Sequence, residues 1–183
     1  MNKLEEIIKT KHDTQSDINE HIPTIVKYAK ECNHITEFGI RWVVSTWAFL
    51  GGYPYKMISY DKDHPSVYGI DIQPLYDISK EIGVDFTFIQ ADVTTIEIEK
   101  TDLLFIDTWH VYDQMKKELE LHASKVMKYI MFHDTTTFEF IGESAGHKGI
   151  WYAISEFLNE NPNWVIHERF TNNNGLTILK RIS

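Results

Sequence analysis

Two short polar clusters combine the side-chain types that move protons or bind metal ions. The first is Asp107-Thr108-Trp109-His110, and the second is His133-Asp134-Thr135. Carboxylates and imidazoles brought to one place can act as general bases or as ligands of a divalent cation. A simpler interpretation is that Asp107 and Asp134 only cap the helices that follow them. Two acids and two histidines in this pair of clusters favour a functional site.

The clusters follow two apolar runs that are separated by a segment with helical periodicity. The runs are residues 103–106 and 129–132, and the segment between them is residues 111–126. Continuous apolar runs of this length are typical of strands buried on both faces, and a helix between them implies a parallel β-α-β unit. Because ligands of such sheets bind beyond the carboxyl ends of the strands, both clusters are predicted to lie at one edge of the sheet.

The rest of the chain alternates between strand and helix patterns. Five strands alternating with helices and followed by a terminal hairpin are predicted, which is an α/β architecture. The other predicted strands are residues 34–39, 57–60, 85–90, 164–170 and 176–181. The other predicted helices are residues 1–11, one opening at Asp17 with Ser16 or Asp17 as N-cap, and residues 45–50, 72–82 and 149–159. Residues 138–148, rich in Gly and small side chains, are predicted to form a mobile lid.

Acids also follow the first three predicted strands. Glu37 and Gly39 lie where the first strand turns into a helix, Asp61 follows the second strand 22 residues beyond Gly39, and Asp92 follows the third. A glycine at this turn lets the backbone approach a ligand, and an acid at that spacing suits ribose hydroxyls. The pattern predicts a nucleotide-type ligand. Because Val43 stands where a dinucleotide motif would need another glycine, a pyrophosphate is disfavoured.

The composition limits the class of protein. The 183 residues suit one domain, with residues 1–16 as an N-terminal extension that carries a short, fraying helix. Lys and Arg total 18 against 27 Asp and Glu, and no basic run occurs, so a nucleic-acid partner is not expected. The single cysteine, Cys32, excludes an internal disulfide framework. Without a signal peptide or membrane-spanning run, a soluble cytoplasmic protein with no membrane partner is predicted.

From about Asp17 onwards, the chain resembles the class I S-adenosylmethionine-dependent methyltransferases. Within them, it is most similar to the small-molecule O-methyltransferases related to macrocin O-methyltransferase and the cephalosporin-hydroxylase-like proteins. Their first motif, E-x-G-x-x-x-G-x-S, is matched by Glu37, Gly39 and Ser45, with Val43 at the second glycine. The resemblance implies a Rossmann-like α/β fold, with a seven-stranded, mostly parallel sheet, an antiparallel last strand and helices on both faces.

Two further motifs support this resemblance. The I-D-G-D-H-x-Y-like motif of the fourth strand is matched by Ile106, Asp107, His110 and Tyr112, while Thr108 and Trp109 replace its glycine and second acid. An F-H-D-T variant of the fifth-strand motif is matched by residues 132–135.

The resemblance also implies how S-adenosylmethionine would be held. The methionine portion would lie at Glu37 and the Gly39 backbone, with Ser45 and Thr46 nearby. Asp61 would accept hydrogen bonds from both ribose hydroxyls. Asp92 and the Val93 backbone would contact the adenine amino edge, and Asp107 and Trp109 would complete the cofactor site.

Transfer of a methyl group to oxygen requires the acceptor hydroxyl to lose its proton, which a base or a divalent cation can promote. The resemblance to metal-dependent relatives predicts Asp107, His133 and Asp134 as metal ligands and His110 as the general base, with His133 also catalytic. Magnesium prefers oxygen ligands, so the imidazole of His133 favours Mn, Fe or Zn over Mg, or no metal.

The predicted function is O-methylation of a hydroxylated small molecule or a sugar. The chain lacks the long helical cap of many relatives, so the lid, the turn at residues 172–174 and the N-terminal helices must shape the acceptor site, or a second subunit in a homo-oligomer must help. The alternatives are a non-catalytic cofactor-binding module with a degenerate site and, less favoured, a dehydrogenase. Outside the site, Trp42 is predicted to be a core residue, and His21 and His122 to be solvated or capping residues.

Overall fold

The computed structural model describes residues 2–182 and has seven strands and six α-helices in that range. The strands are β1 His34–Phe38, β2 Lys56–Asp61, β3 Asp85–Gln90, β4 Thr101–Ile106, β5 Val126–His133, β6 Trp164–Phe170 and β7 Leu176–Arg181. The helices are α1 Lys3–Asp13, α2 Ile22–Ala29, α3 Val44–Leu50, α4 Gln73–Ile82, α5 Tyr112–His122 and α6 Trp151–Glu160. Short 3₁₀ turns occupy Asn19–His21, Pro65–Tyr68 and Ala123–Lys125.

All seven strands form one sheet in the order β3-β2-β1-β4-β5-β7-β6. Strands β1 to β5 pair in parallel, whereas β7 is antiparallel to both of its neighbours. The predicted seven-stranded sheet with an antiparallel last strand is therefore confirmed. The strand order reverses between β1 and β4, and open α/β sheets bind their ligands at the crevice that such a reversal creates.

Helices cover both faces of the sheet, and β4 shows why its sequence is apolar throughout. Leu103 and Phe105 pack into a core with residues of α1 to α4, while Leu104 and Ile106 pack into a second core with α5 and α6. All four side chains are fully buried. A strand with two buried faces places its ends, and the polar residues after them, at fixed positions along the sheet edge. No helix within residues 2–182 is long and apolar enough to cross a membrane.

The N-terminal helix is better anchored than the sequence suggests. Asn2 and Glu5 form a reciprocal capping box, in which each side chain accepts a hydrogen bond from the backbone N–H of the other residue. Met1, where the predicted helix began, lies outside the described residues. The next helix begins later than predicted, because a 3₁₀ turn at Asn19–His21 precedes α2. The N-cap residues are Ile18 for the turn and His21 for α2, and neither Ser16 nor Asp17 takes the predicted N-cap position, although the Ser16 hydroxyl accepts from the Asn19 amide at 3.0 Å.

Helix α5 is also shorter than predicted. It ends at His122, a 3₁₀ turn follows, and Val126 is already the first residue of β5. Val126 is fully buried and its spacing fits both a helix face and a strand, so periodicity alone could not separate the two.

Candidate active site

A cleft of about 590 Å³ opens at the carboxyl ends of β1 to β4. Of the residues predicted from the sequence, its walls include Gly39, Ser45, Asp61, Asp92, Val93, Asp107, Trp109 and His110. The wall carries five carboxylates, on Asp17, Asp61, Asp92, Asp107 and Glu143, against two permanent cations, on Arg41 and Lys62. The cleft therefore suits a ligand with a net positive charge.

The floor of the cleft is the turn that follows β1. Gly39 has a φ of +81°, and a Cβ atom there would lie 2.0 Å from the carbonyl oxygen of Asp107. Only glycine allows β1 and β4 to end this close together. Val43, at the second glycine of the resembled motif, keeps a left-handed backbone with a φ of +56°. A β-branched residue in this conformation is strained, which suggests that buried packing of Val43 holds the turn in place.

Asp61 stabilises the same turn from β2. Its Oδ2 accepts hydrogen bonds from the amides of Ile40 at 2.9 Å and Arg41 at 3.3 Å, and its Oδ1 accepts from the amide of Asp63 at 3.0 Å. These amides would otherwise be available to an anion. The carboxylate is thus fixed in the cleft wall before any ligand arrives.

Glu37 and Thr46 lie behind the cleft and do not line it. The Glu37 carboxylate is fully buried and accepts hydrogen bonds from Ser45 at 2.6 Å, Ser59 at 2.7 Å and Thr46 at 2.9 Å. Burial raises the pKa of Glu37 to about 7, against the three hydroxyl hydrogen bonds that lower it. Glu37 and Thr46 therefore belong to a buried hydrogen-bonded cluster that joins β1, β2 and α3, and they do not line the cleft in which the cofactor was expected.

The two polar clusters, at residues 107–110 and 133–135, meet beside the cleft. His110 Nε2 lies 3.1 Å from Asp107 Oδ1 and 3.1 Å from Asp134 Oδ2. Among residues 2–182, Asp107, His110 and Asp134 form the group whose ligand atoms are close enough to hold one metal ion. The Oδ1 atom of Asp134 is buried and has no hydrogen-bond partner among the described residues. This oxygen is therefore available to accept a hydrogen bond or to bind a cation.

His133, predicted to be a metal ligand, lies outside the group that can hold a metal ion, and its predicted catalytic role stays a prediction. Its ring is 1% exposed, and its Nε2 faces the carbonyl oxygens of Asp17 at 3.0 Å and Asn173 at 3.3 Å. Its Nδ1 faces Asp107 Oδ1 at 3.3 Å and Asp134 Oδ2 at 3.5 Å. Both nitrogens thus face acceptors and are suited to donate. The structure puts His110, and not His133, in the group that can hold a metal ion.

The charges of this group depend on one another. Burial alone would lower the pKa of His133, but Asp107 and Asp134 raise it well above its usual value. His110 is shifted upwards in the same way, by Asp107, Asp134 and Glu143 against burial. Burial favours a neutral Asp107, yet the two histidines hold its pKa below the usual range. The carboxylates thus favour the protonated form of both histidines, and the histidines favour the ionised form of Asp107.

Residues 138–148, the predicted lid, contact the group directly. The Glu143 carboxylate accepts from His110 Nδ1 at 3.1 Å and from the His110 amide at 3.2 Å, and the Phe138 ring stacks on the imidazole with centroids 4.9 Å apart. Trp109 Nε1 donates to the Ser144 hydroxyl at 3.0 Å. The lid is thus attached to the site in this structure, and its mobility stays a prediction.

Several cleft residues were not identified from the sequence. Trp42, predicted to be core, is 44% exposed and lines the cleft with the Arg41 guanidinium 4.0 Å from its ring centroid. His21 and His122, predicted to be solvated or capping, are fully buried. His122 Nε2 donates to the carbonyl of Val93 at 2.8 Å and so supports the cleft wall. No local pattern distinguishes such residues, because their roles depend on contacts between distant segments.

The comparisons with known proteins agree with this architecture. No family model and no curated protein matches the chain. Among solved structures, an O-methyltransferase from Bacillus cereus in complex with SAH (S-adenosylhomocysteine) is 14% identical, with 97% of this chain and 90% of that chain covered and a TM-score of 0.64. An SAH-bound methyltransferase from Podospora anserina is 15% identical, with 99% and 88% covered and a TM-score of 0.62.

A ribosomal protein L11 methylase from Lactobacillus delbrueckii is also similar, at 11% identity, with 89% of this chain and 79% of that chain covered and a TM-score of 0.56. At such identities the likeness concerns the fold alone. The chain has the fold of the class I methyltransferases, as predicted, and its place near the macrocin-related enzymes stays a prediction.

Proposed function

We propose that the chain binds S-adenosylmethionine in the cleft and transfers its methyl group to a hydroxyl oxygen of a small molecule or a sugar. One observation carries this proposal: an acidic, nucleoside-sized cleft at the reversal point of the sheet adjoins a buried group of two carboxylates and a histidine. The cofactor, when bound, supplies an electrophilic methyl group on a sulfonium ion.

The cleft fits this cofactor in charge and shape. Five carboxylates in the wall favour the cationic sulfonium and ammonium groups. Asp61 would hold the ribose, Asp92 and Val93 would contact the adenine, and Gly39 would allow close approach of the methionine portion. A dinucleotide fits less well, because the Asp61 carboxylate already uses the amides of Ile40 and Arg41 that a pyrophosphate would need.

The group Asp107, His110 and Asp134 would hold a divalent cation. The orphaned Oδ1 of Asp134 supports this, and two carboxylates with one imidazole suit Mn, Fe or Zn better than Mg. Such a cation would supply a Lewis acid that favours an ionised acceptor hydroxyl. His110 would have to lose its proton to act as a ligand, so cation binding should weaken at low pH.

The same argument refines the role of His110 as a base. Both of its ring nitrogens face carboxylates, and its pKa is raised, so its protonated form is favoured in the unloaded site. A general base must be unprotonated. Without a bound cation, His110 would instead act as the base: it would accept the proton of the acceptor hydroxyl once its ring is unprotonated, and Asp107 and Asp134 would stabilise the imidazolium that forms.

The acceptor would lie between this group and the lid. Trp109 is 43% exposed at the rim of the site and offers an aromatic face to a sugar or an aromatic ring. The lid supplies Glu143, which accepts from His110 Nδ1, and Phe138, which stacks on the His110 ring. A hydroxylated ring is therefore the acceptor class that we propose.

Calorimetric titration with S-adenosylhomocysteine, with and without Mn²⁺, tests the proposal. We expect binding in the micromolar range that weakens at least about tenfold in Asp61→Asn, because the ribose loses an ionised acceptor. Asp85→Asn, at the exposed start of β3 and the opposite end of the sheet, is the matched control and should bind like the wild type. No binding by the wild type would refute the proposal. Cofactor binding without methyl transfer to any hydroxylated acceptor would favour the non-catalytic module.

A further inference from the structure

Helix α5 carries a buried polar stripe behind the cleft wall. Gln114, Glu118 and His122 are spaced four residues apart and therefore lie on one face of the helix. Glu118 and His122 are both fully buried, beside the apolar side chains of Met115 and Leu119. Burying a carboxyl group in such surroundings is costly, so a specific use is expected.

Glu118 does not line the cleft, but both of its hydrogen-bond partners do. Its Oε1 accepts from the Thr108 hydroxyl at 2.7 Å and from the Gln114 side-chain amide nitrogen at 2.7 Å. Its Oε2 is buried and has no hydrogen-bond partner among residues 2–182. The carboxyl group thus uses a single oxygen to hold two cleft residues.

This arrangement sets the hydrogen-bonding polarity of the wall while Glu118 is ionised. An ionised carboxylate can only accept hydrogen bonds. The Thr108 hydroxyl therefore donates its proton to Glu118 Oε1 and keeps only lone pairs for any other contact. The Gln114 amide is likewise oriented, and its Oε1 accepts no hydrogen bond within the described residues.

The neighbouring segment offers the complementary donor. The Val93 carbonyl is held by His122 Nε2 at 2.8 Å, and the Val93 amide N–H donates to no atom within residues 2–182. These three residues line the cleft, with unused acceptors on Thr108 and Gln114 and an unused donor on Val93. A 6-aminopurine has the matching edge, an amino donor beside the N1 acceptor, whereas a 6-oxopurine has these two functions reversed.

We propose that Glu118 is a positioning residue that makes the cleft select a 6-aminopurine nucleoside over its 6-oxo analogue. It acts through Thr108 and Gln114, whose acceptors it turns towards the ligand. The inference rests on the proposed function, since it assumes a purine nucleoside in this cleft. It adds to that function the residue that enforces the choice of base.

The test compares the affinities for S-adenosylhomocysteine and S-inosylhomocysteine, measured by calorimetry. The wild type should prefer the adenosyl compound by at least about tenfold, the effect of one or two mismatched hydrogen bonds. In Glu118→Gln the new amide can donate to Gln114 Oε1, so the Gln114 amide can turn and the preference should fall to about threefold or less. Glu120→Gln, the same change on the exposed side of α5, should keep the wild-type ratio.

Gln114→Ala provides a second variant that leaves the buried carboxyl in place. It removes an acceptor from a half-buried position at the cleft and should also reduce the preference. Equal affinities in the wild type, or an unchanged ratio in both Glu118→Gln and Gln114→Ala, would overturn this inference while leaving the proposed function intact. A wild type that binds neither compound would instead refute the proposed function, and this inference with it.

Discussion

Two acids follow the same sequence pattern at the ends of neighbouring strands, yet their surroundings give them opposite properties. Glu37 lies on β1 and Asp107 follows β4, and both strands are buried and adjacent in the sheet. Glu37 is surrounded by three hydroxyl groups, and burial raises its pKa to about 7. Asp107 faces two imidazoles, and these outweigh burial and lower its pKa.

The contrast between Glu37 and Asp107 shows that a position at a strand end does not by itself decide the role of an acid. Neutral hydroxyl partners satisfy hydrogen bonds but do not offset the cost of burying a charge, so Glu37 is suited to hold the turn together. Cationic partners stabilise the ionised form, so Asp107 is suited to bind a cation or to orient an imidazolium. Glu37 is therefore assigned to the scaffold and Asp107 to the chemistry.

Substituting the two acids should produce the largest contrast. With any acceptor that the wild type methylates, Asp107→Asn should lower kcat/KM by roughly 10³-fold, because it removes the charge that balances both histidines. Glu37→Gln should change kcat/KM by less than about threefold under conditions where it is folded. The measurement is the initial rate of methyl transfer, and similar losses in both variants would remove the distinction.

The close contact between the ends of β1 and β4 can be tested by substituting Gly39. Gly39→Ala should destabilise the fold by roughly 4 kcal/mol, because the Cβ would collide with the Asp107 carbonyl and the φ is positive. Gly69→Ala is the matched control, since its φ of +74° is similar but no atom lies within 4 Å of the added Cβ. It should cost only about 1 kcal/mol. Urea unfolding measures both, and equal losses would contradict the tight junction.

The raised pKa of Glu37 predicts how stability depends on pH. Between pH 4.5 and about 7 the unfolded chain has lost the proton of this carboxyl while the folded chain keeps it, so its contribution to stability falls as the pH rises. The fall is on the order of 3 kcal/mol across this window and is absent in Glu37→Gln. The difference in unfolding free energy between wild type and variant should therefore depend on pH, and a constant difference would argue against a raised pKa.

The smallest effect of a substitution is expected in the lid, residues 138–148. The lid contacts His110, which is the partner of Asp107, but it does not contact Glu37. Glu143→Gln should weaken the contact with His110 by about 0.5–1 kcal/mol, since Glu143 is half exposed. Limited proteolysis should then cut within residues 138–148 a few times faster than in the wild type. An unchanged cleavage rate would show that Glu143 does not hold the lid.

The sequence alone predicted the seven strands and the edge of the sheet at which the site lies, because strand burial and helix periodicity are visible in local sequence patterns. It could not show which of His110 and His133 joins the two carboxylates in the metal group, since both histidines lie at the ends of buried strands and the choice depends on what their ring nitrogens face. The stripe of Gln114, Glu118 and His122 was missed for a related reason. Polar residues on a helix suggest a solvated face unless the packing of that helix is known.

The most direct test of the proposed cofactor site is calorimetry. S-adenosylhomocysteine is titrated into the wild type and, separately, into Glu37→Gln. We expect micromolar binding to both proteins, with affinities within about threefold, because the proposed cofactor site is the cleft and Glu37 lies behind it. A loss of more than tenfold in Glu37→Gln would place that carboxylate in the cofactor site. Absence of binding to the wild type would refute the proposed cofactor site and the proposed function.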